Sequence, residues 1–405
     1  MKPGTVVVGA SVAGVRVAQA LRSRGHEGRI VLVGEEDELP YDKPPLSKGV
    51  LAGSAGLDDV RLLTAEDAAD EGIELELGRA ATRLDLAGSV VHLADGTELP
   101  YTDLVIATGA SARPAGWEHL DGVHVLRTAA DASALREDLD RGGPLVVIGG
   151  GFIGAEVAAT ARGLGLTEVT VLDATPTLLA RSVPAVVGDR VAELHRRNGV
   201  RLRLGVKVDG VDRIGGGLRI RLADGSEVDA ATVVVGIGAV PNDAWVAGSG
   251  LKVDDGIVCD RFGRAASHVF AVGDVSRWQT SRHGSAVRVE HWTNAVEQAA
   301  AVAHTLVHPE DPRAHTPVEY VWTDQYDWKI QIVGTPAAGT GGRLLARAED
   351  SFATVFGTAD RFAGAVVVNW PQALVGCRRA LAAATPPAEV CEHLNRLTPV
   401  SEVAL

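Results

Sequence analysis

Short runs of apolar residues, separated by glycine-rich and polar stretches, recur along the chain. Two such runs, at 5–9 (TVVVG) and 145–149 (LVVIG), end in glycine and lead into a stretch with helical spacing. Each stretch is followed by a second apolar run, at 30–33 and 169–172. A buried parallel strand forms a continuous apolar run, whereas its crossover helix repeats every 3.6 residues. The pattern therefore predicts two β-α-β units.

Each predicted unit has a glycine turn between its first strand and its helix, and an acidic residue after its second strand. The turn residues are Gly9, Ser11 and Gly14 in the first unit and Gly149, Gly151 and Gly154 in the second, and the acids are Glu35 and Asp173. In dinucleotide-binding units the glycines allow a tight turn, close approach of a pyrophosphate and close helix packing, and the acid binds a ribose. Such a turn can also be a plain connection, and Ser11 replaces a glycine in the first copy. Two copies together predict two dinucleotide sites.

Further apolar runs place the rest of the chain around these units. Runs that end in glycine at 104–109 and 233–238 lie where each unit should close, and another at 269–274 follows the second unit. We therefore predict an α/β fold with two Rossmann-like dinucleotide-binding domains, the second inserted in the first, plus a small α+β C-terminal domain. The predicted boundaries are 1–112 and 241–311 for the first domain, 113–240 for the second, and 312–405 for the third. Within the third, strands are predicted at 320–322, 330–333, 353–356 and 365–368, and a helix at 387–397.

Composition and charge exclude several classes of protein. Hydrophobic residues make up 46% and charged residues 22%, which is typical of a globular protein. The net charge of −13 and the absence of a basic run argue against nucleic acid as a partner. No apolar run is long enough to span a membrane. The three isolated cysteines favour a reducing, cytoplasmic location without a disulfide framework, and His304 and His308 lack a third residue for a metal site.

Several motifs along the chain resemble those of one flavoprotein family. They are the opening glycine turn, PPLSK (44–48), IATG (106–109), VIGGGFIGAEVAA (147–159), VGDV (272–275), RVEHWTNAVEQA (288–299) and WTDQYD (322–327). On these motifs the chain resembles the glutathione-reductase structural class, and within it the NADH-dependent reductases of 2Fe–2S ferredoxins, such as putidaredoxin reductase and the biphenyl dioxygenase reductases. The resemblance implies an enzyme that passes electrons from NADH through FAD to a 2Fe–2S ferredoxin that serves a monooxygenase or dioxygenase.

The resemblance also implies which residues bind the two cofactors. For FAD they are Gly9, Ser11, Ala13, Gly14, Glu35, Lys43, Lys48, Ala81, Thr108, Gly109, Arg127, Gly273, Asp274, Glu290, His291, Trp292 and Trp322. For NADH they are Gly149, Gly151, Phe152, Ile153, Gly154, Glu156, Asp173 and Gly238. The family places Ala13 at the pyrophosphate, Asp274 at the ribityl chain, Trp292 at the pyrimidine end of the flavin and Trp322 over the flavin.

Lys48 and Glu156 are the predicted catalytic residues. Taken alone, a lysine is usually a solvated surface residue, and a glutamate early in a helix complements the helix dipole. The resemblance instead implies that the two residues pair beside the flavin, where they position the nicotinamide for hydride transfer to N5.

Missing cysteines separate this chain from the disulfide reductases of the same structural class. Residues 36–60 contain no cysteine, so a flavin-linked disulfide or a cysteine-dependent NADH oxidase is not expected. Three alternatives stay open: a rubredoxin reductase, a monodehydroascorbate-type reductase, and an NADH-sensing flavoprotein. The sequence also leaves open whether the protein is a monomer or a homodimer.

Charge patterns add expectations about coenzyme and partner. Asp173 stands where the 2′ position of the adenosine ribose should lie, and the next three residues carry no cation for a 2′-phosphate, so we predict NADH as the coenzyme. Residues 312–405 hold 8 basic and 9 acidic residues, a balance of −1, so the third domain is the least acidic surface for a ferredoxin. Its candidate contacts are Lys329, Arg343 and Arg347.

Overall fold

The computed structural model describes residues 3–280, 284–339, 341–397 and 401–404. Contacts divide the chain into two units. The first unit comprises Met1–Lys43, Leu57–Ser111 and Ala239–Pro317, and the second comprises Pro44–Gly56, Ala112–Gly238 and Val318–Leu405.

The helices and strands follow the chain in a mixed order. The helices are α1 (Val12–Ser23), α2 (Gly49–Ala52), α3 (Ala65–Asp70), α4 (Ala129–Arg141), α5 (Phe152–Gly163), α6 (Ala185–Arg197), α7 (Trp292–Val307), α8 (Pro371–Ala382) and α9 (Pro387–Leu397). The strands up to the end of the second β-α-β unit are β1 (Gly4–Val8), β2 (Ile30–Val33), β3 (Ile73–Glu76), β4 (Ala81–Asp85), β5 (Val90–Leu93), β6 (Glu98–Ile106), β7 (Ala110–Ala112), β8 (Val123–His124), β9 (Leu145–Ile148) and β10 (Val169–Asp173). The next strands are β11 (Val200–Leu204), β12 (Val208–Ile214), β13 (Gly217–Leu222), β14 (Glu227–Ala230), β15 (Thr232–Val235), β16 (Ala239–Pro241), β17 (Ile257–Cys259), β18 (Arg264–Ala266), β19 (Val269–Ala271), β20 (Ser276–Gln279) and β21 (Ala286–Val287). The last are β22 (Tyr320–Gln325), β23 (Trp328–Gly334), β24 (Gly342–Ala348), β25 (Ser351–Gly357), β26 (Phe362–Val368) and β27 (Ser401–Ala404).

The first unit is built on a sheet whose strand order is β18-β19-β6-β1-β2-β3. The strands from β19 to β3 run parallel, and the central strand β1 aligns Val6 with Val31 of β2 and with Leu104 of β6. Helices α1 and α7 pack against each other, and their buried faces join the core of the sheet. This arrangement brings the start of α1 to the carboxyl end of β1, where nucleotides bind in open α/β sheets.

The second unit contains a five-stranded parallel sheet and an antiparallel sheet. The parallel sheet has the order β11-β10-β9-β15-β8, so β9, α5 and β10 repeat the arrangement of β1, α1 and β2. The antiparallel sheet has the order β22-β23-β26-β25-β24-β27. Its core is completed by buried residues of α8 and α9, including Cys377 and Leu394.

The predicted fold class is confirmed, with two Rossmann-like sheets and a separate C-terminal region of antiparallel strands and two helices. All four strands predicted in that region are present, as is the helix at 387–397, whereas β24, β27 and α8 were not predicted. The three domain boundaries stay a prediction. The two units differ from these boundaries in two ways: most of the predicted second and third domains lies in the second unit, and residues 44–56, which pack against α4 and α5, lie there as well.

Among the described residues, every helix is too short or too polar to span a lipid bilayer.

Candidate functional site

The first glycine turn joins β1 to α1 with very little space between the two elements. Gly9 has a φ of +118°, and a Cβ on Gly14 would lie 1.9 Å from the carbonyl oxygen of Gly9, so neither position accommodates a side chain. Ser11 caps α1 without a side-chain hydrogen bond, and the first turn carries no acidic residue. The partial positive charge of this helix end is therefore left for an external anion.

Two distant parts of the sequence, 9–14 and 273–274, meet at this helix end in the first unit. Gly273 opens a 3₁₀ turn after β19, and a Cβ built on Gly273 would lie 3.1 Å from the Cβ of Ala13. Asp274 follows directly and is half-buried. The small residues Ala13 and Gly273 thus border the start of α1, and the carboxylate-bearing Asp274 is the next residue of the chain. This set of groups fits a dinucleotide, because the helix end accepts the phosphates and the carboxylate accepts hydrogen bonds from hydroxyl groups.

The other predicted FAD residues of the first unit lie on connections or at the first position of a helix or strand. Thr108 donates a hydrogen bond from Oγ1 to the carbonyl of Asn242 at 2.7 Å, which joins the turn after β6 to the segment after β16. Trp292 is the first residue of α7, and its Nε1 donates to Oδ1 of Asp42 at 2.8 Å. Gly109 follows Thr108, Glu290 and His291 precede Trp292, and Ala81 begins β4.

Glu35 and Lys43 differ in their surroundings. Glu35 is exposed just beyond the end of β2. Its neighbour Glu36 is paired instead, with Lys43 Nζ at 2.7 Å from Glu36 Oε1 and the hydroxyl of Tyr41 also donating to the carboxylate. No sequence pattern indicated that Lys43 would pair with Glu36.

The second glycine turn repeats the geometry of the first. Gly149 has a φ of +109°, and a Cβ on Gly154 would again lie 1.9 Å from the carbonyl of the first glycine. Gly151 caps α5, and a Cβ built on it would meet no atom within 4 Å. Phe152 begins α5, and the next residue, Ile153, is an exposed apolar side chain. The first turn of α5 has no acidic residue, so this helix end also suits a pyrophosphate.

Asp173, at the end of β10, is hydrogen-bonded to two neighbouring segments. Its Oδ1 accepts from the backbone N–H and the hydroxyl of Thr175 at 2.6 and 2.5 Å, and its Oδ2 accepts from the N–H of Gly150. These contacts fix the carboxylate at the glycine turn. A Cβ on Gly238, after β15, would lie 3.1 Å from Arg181 Nη1 and 3.9 Å from Arg113 Nε. Sequence reasoning missed Arg113 beside Gly238, because 125 positions of the printed sequence separate them.

Lys48 and Glu156 form an ion pair within the second unit. Lys48 Nζ lies 2.7 Å from Glu156 Oε2, and only 3% of the glutamate side chain is exposed. Ser47 Oγ donates to the same oxygen at 2.5 Å, and Thr323 Oγ1 donates to Oε1 at 2.7 Å. The predicted pairing of these two residues is present. Ser47 and Thr323 were quoted in motifs but given no role, although PPLSK places Ser47 directly before the lysine.

The two other residues predicted at FAD belong to the second unit. The backbone N–H of Arg127 donates to Asp131 Oδ2 at 2.9 Å, just before the cap of α4. Trp322 lies on β22, where its ring stacks on Tyr320 at 5.9 Å between centroids.

Burial of the three cysteines disfavours chemistry at their thiols. The three cysteines are free and buried, and burial raises the pKa of Cys377 to about 12 and raises that of Cys259 as well. A thiol with a raised pKa is a poor nucleophile. Among the residues that the structure describes, no group of three histidine, cysteine or acidic side chains could hold a metal ion.

Comparison with known protein families shows which family has this arrangement of two glycine turns. Residues 4–299 match the pyridine nucleotide-disulphide oxidoreductase family, and residues 320–393 match the reductase C-terminal family. The chain belongs to the pyridine nucleotide-disulphide oxidoreductase family. Membership accounts for the two Rossmann-like sheets and for the antiparallel sheet that follows them.

Relatives within the family are similar over almost the whole chain. The ferredoxin–NAD(+) reductase component of an anthranilate 1,2-dioxygenase system from Burkholderia cepacia is 39% identical, over 94% of this chain and 95% of its own length. Rhodocoxin reductase from Rhodococcus erythropolis is 36% identical, over 94% and 90%. Among solved structures, the covalent putidaredoxin reductase–putidaredoxin complex matches with a TM-score of 0.89 and 33% identity, over 95% of each chain.

Proposed function

We propose that this protein is an FAD-dependent NADH:ferredoxin oxidoreductase, which passes electrons from NADH to a 2Fe–2S ferredoxin that serves a monooxygenase or dioxygenase. The observation that carries the proposal is the end-to-end similarity to relatives named as ferredoxin–NAD(+) reductases, including one at 39% identity over 94% of the chain. That similarity extends through the C-terminal region, so it covers more than the nucleotide-binding fold alone.

In this proposal the first unit holds FAD. The N-terminal end of α1 binds the pyrophosphate, since the turn from Gly9 to Gly14 presents backbone N–H groups without a competing acid. Asp274 accepts hydrogen bonds from the ribityl hydroxyls, and Glu35 accepts them from the adenosine ribose. FAD, when bound, supplies the conversion between a two-electron donor and a one-electron acceptor.

The second unit holds NADH by the same means. The end of α5 at Gly151 binds the pyrophosphate, and Asp173 accepts hydrogen bonds from the adenosine ribose. Lys48 and Glu156 position the nicotinamide. Their 2.7 Å ion pair and the burial of the carboxylate fix both charged groups in place. Preorganised charges of this kind act without rearrangement during the reaction.

We expect NADH to be preferred over NADPH by about five- to several-hundredfold. A carboxylate about 4 Å from a 2′-phosphate costs roughly 1 to 4 kcal/mol, depending on screening, and about 1.4 kcal/mol corresponds to a factor of ten. Steady-state kcat/KM for the two coenzymes measures this preference. Asp173→Asn should reduce the difference in kcat/KM between NADH and NADPH. Equal kcat/KM values in the unchanged protein would contradict the role of Asp173.

The ferredoxin partner is proposed to approach the C-terminal region. Lys329 on β23 and Arg343 and Arg347 on β24 are exposed in a region whose net charge is close to zero, unlike the acidic remainder. Electrostatic complementarity mainly raises the association rate and makes it sensitive to salt. We further propose a cytoplasmic protein, a monomer or homodimer, that acts without nucleic acid or membrane.

Anaerobic mixing of the FAD-loaded protein with NADH tests the proposed function. We expect the visible flavin absorbance to bleach with one equivalent of NADH and to return when two equivalents of oxidised 2Fe–2S ferredoxin are added. Bleaching that only oxygen reverses would exclude ferredoxin as the acceptor. Slow bleaching combined with NADH-dependent dimerisation would indicate an NADH sensor instead.

A further inference from the structure

A line of buried polar side chains in the second unit ends at Glu156. Thr323 Oγ1 donates to Glu156 Oε1 at 2.7 Å, and Gln325 Nε2 donates to Thr323 Oγ1 at 3.1 Å. His195 Nε2 lies 2.9 Å from Gln325 Oε1. Thr323, Gln325 and His195 are each completely buried. The line therefore connects α6, β22 and α5 without access of water to its middle members.

The hydrogen bonds of this line all point in one direction. Glu156 as a carboxylate only accepts, so Thr323 must donate its hydroxyl proton to it and accept from the amide N–H of Gln325. The carbonyl of Gln325 must then accept from His195. Burial lowers the pKa of His195 to about 4, so the ring is neutral near pH 7. Its proton lies on Nε2, and Nδ1 is left to accept from the hydroxyl of Tyr326 at 3.3 Å.

We propose that Thr323 is a positioning residue, which fixes the carboxylate of Glu156 so that Oε2 faces Lys48. Each oxygen of Glu156 has its own partners, with Thr323 on Oε1, and with Ser47 and Lys48 on Oε2. Loss of the bond to Oε1 frees the carboxylate to rotate. The line holds an orientation and does not conduct protons, because the side-chain amide of Gln325 interrupts it. This inference rests on the proposed function, in which Lys48 and Glu156 position the nicotinamide.

Thr323→Val tests the inference, because valine keeps the shape of the side chain and removes the hydroxyl. In rapid mixing with NADH, we expect the limiting rate of flavin bleaching to fall about tenfold. That factor corresponds to about 1.4 kcal/mol, which is just below the usual range for a hydrogen bond to a charged group. The dissociation constant for NADH should stay within about twofold, and the long-wavelength absorbance of a stacked nicotinamide–flavin pair should weaken. Thr323→Ser should restore both rate and absorbance.

Thr354→Val is the matched control. Thr354 is buried in the same antiparallel sheet, and its Oγ1 donates to the carbonyl of Val366 at 3.2 Å, away from Glu156. We expect this variant to lose similar thermal stability but to keep the full bleaching rate and the stacking absorbance. If T323V does not retain FAD, Gln325→Met tests the same role, because Gln325 donates to Thr323. We expect this variant to lower the limiting rate of flavin bleaching about threefold.

Two results overturn the inference in distinguishable ways. If T323V and Q325M bleach as fast as T354V with unchanged absorbance, the positioning role is wrong, while the proposed function stands. If the unchanged protein is not bleached by NADH, the proposed function itself fails.

Discussion

Replacing Lys48 with alanine is expected to slow the bleaching of bound flavin by NADH about a hundredfold while the FAD content of the purified protein is unchanged. The amine lies 2.7 Å from a carboxylate that is 3% exposed. Without it, Glu156 keeps the hydroxyl donors Ser47 and Thr323 but loses its only contacting cation among the described side chains. Losing one preorganised electrostatic group commonly costs about 10² to 10³ in rate.

Rapid mixing with NADH, together with the flavin-to-protein absorbance ratio, measures both parts of this prediction. Lys48→Arg keeps the charge and should lose less than the alanine variant. Lys207→Ala is a suitable control, since Lys207 is exposed in the same unit. An unchanged rate in K48A would remove Lys48 from the proposed mechanism. If K48A loses FAD but the protein that still holds FAD is bleached at the normal rate, Lys48 would be a FAD-binding residue only.

A single Gly→Ala substitution in each glycine turn should distinguish the FAD site from the NADH site. We expect Gly14→Ala to weaken FAD binding and Gly154→Ala to weaken NADH binding while FAD is retained, each by about fivefold to a hundredfold. In both cases the new Cβ would lie 1.9 Å from a backbone carbonyl oxygen, so the helix must move away from the strand. Overpacking of this kind costs about 1 to 3 kcal/mol, and about 1.4 kcal/mol corresponds to a factor of ten.

Equilibrium dialysis for FAD and a rapid-mixing titration with NADH measure the two affinities. Gly163→Ala is the control: it is the last residue of α5, and its added Cβ meets no atom within 4 Å. This variant should bind both cofactors normally. If G154A released FAD, or if G14A retained FAD and lost NADH, the assignment of the cofactors to the two units would be reversed.

The fold was largely predictable because its apolar runs are continuous and its turns are marked by glycine. Every residue of β1 and β9 is buried, so these continuous apolar runs are not mistaken for an alternating or helical pattern. Helix α8 was missed although its buried residues Ala373, Cys377 and Leu381 are spaced four apart. That spacing lies in an alanine-rich stretch with few strongly apolar residues, so it indicates a helix only weakly.

The site was predictable as a set of motifs but not as a set of contacts. The pairing of Lys48 with Glu156 followed from the resemblance. The contact of Thr323 with Glu156 joins residues 167 positions apart, and no local pattern predicts it. The neutral state of His195 likewise depends on burial that arises only when α6 and β22 pack together. Long-range hydrogen bonds between motifs therefore require the structure.

The most direct test of the central claim is the NADH-driven reduction of cytochrome c, with and without an added 2Fe–2S ferredoxin. The account predicts a large stimulation that saturates with ferredoxin concentration, because the flavoprotein reduces ferredoxin and ferredoxin reduces cytochrome c. No stimulation by any of several 2Fe–2S ferredoxins, despite rapid bleaching of the flavin by NADH, would contradict the account and point to another electron acceptor.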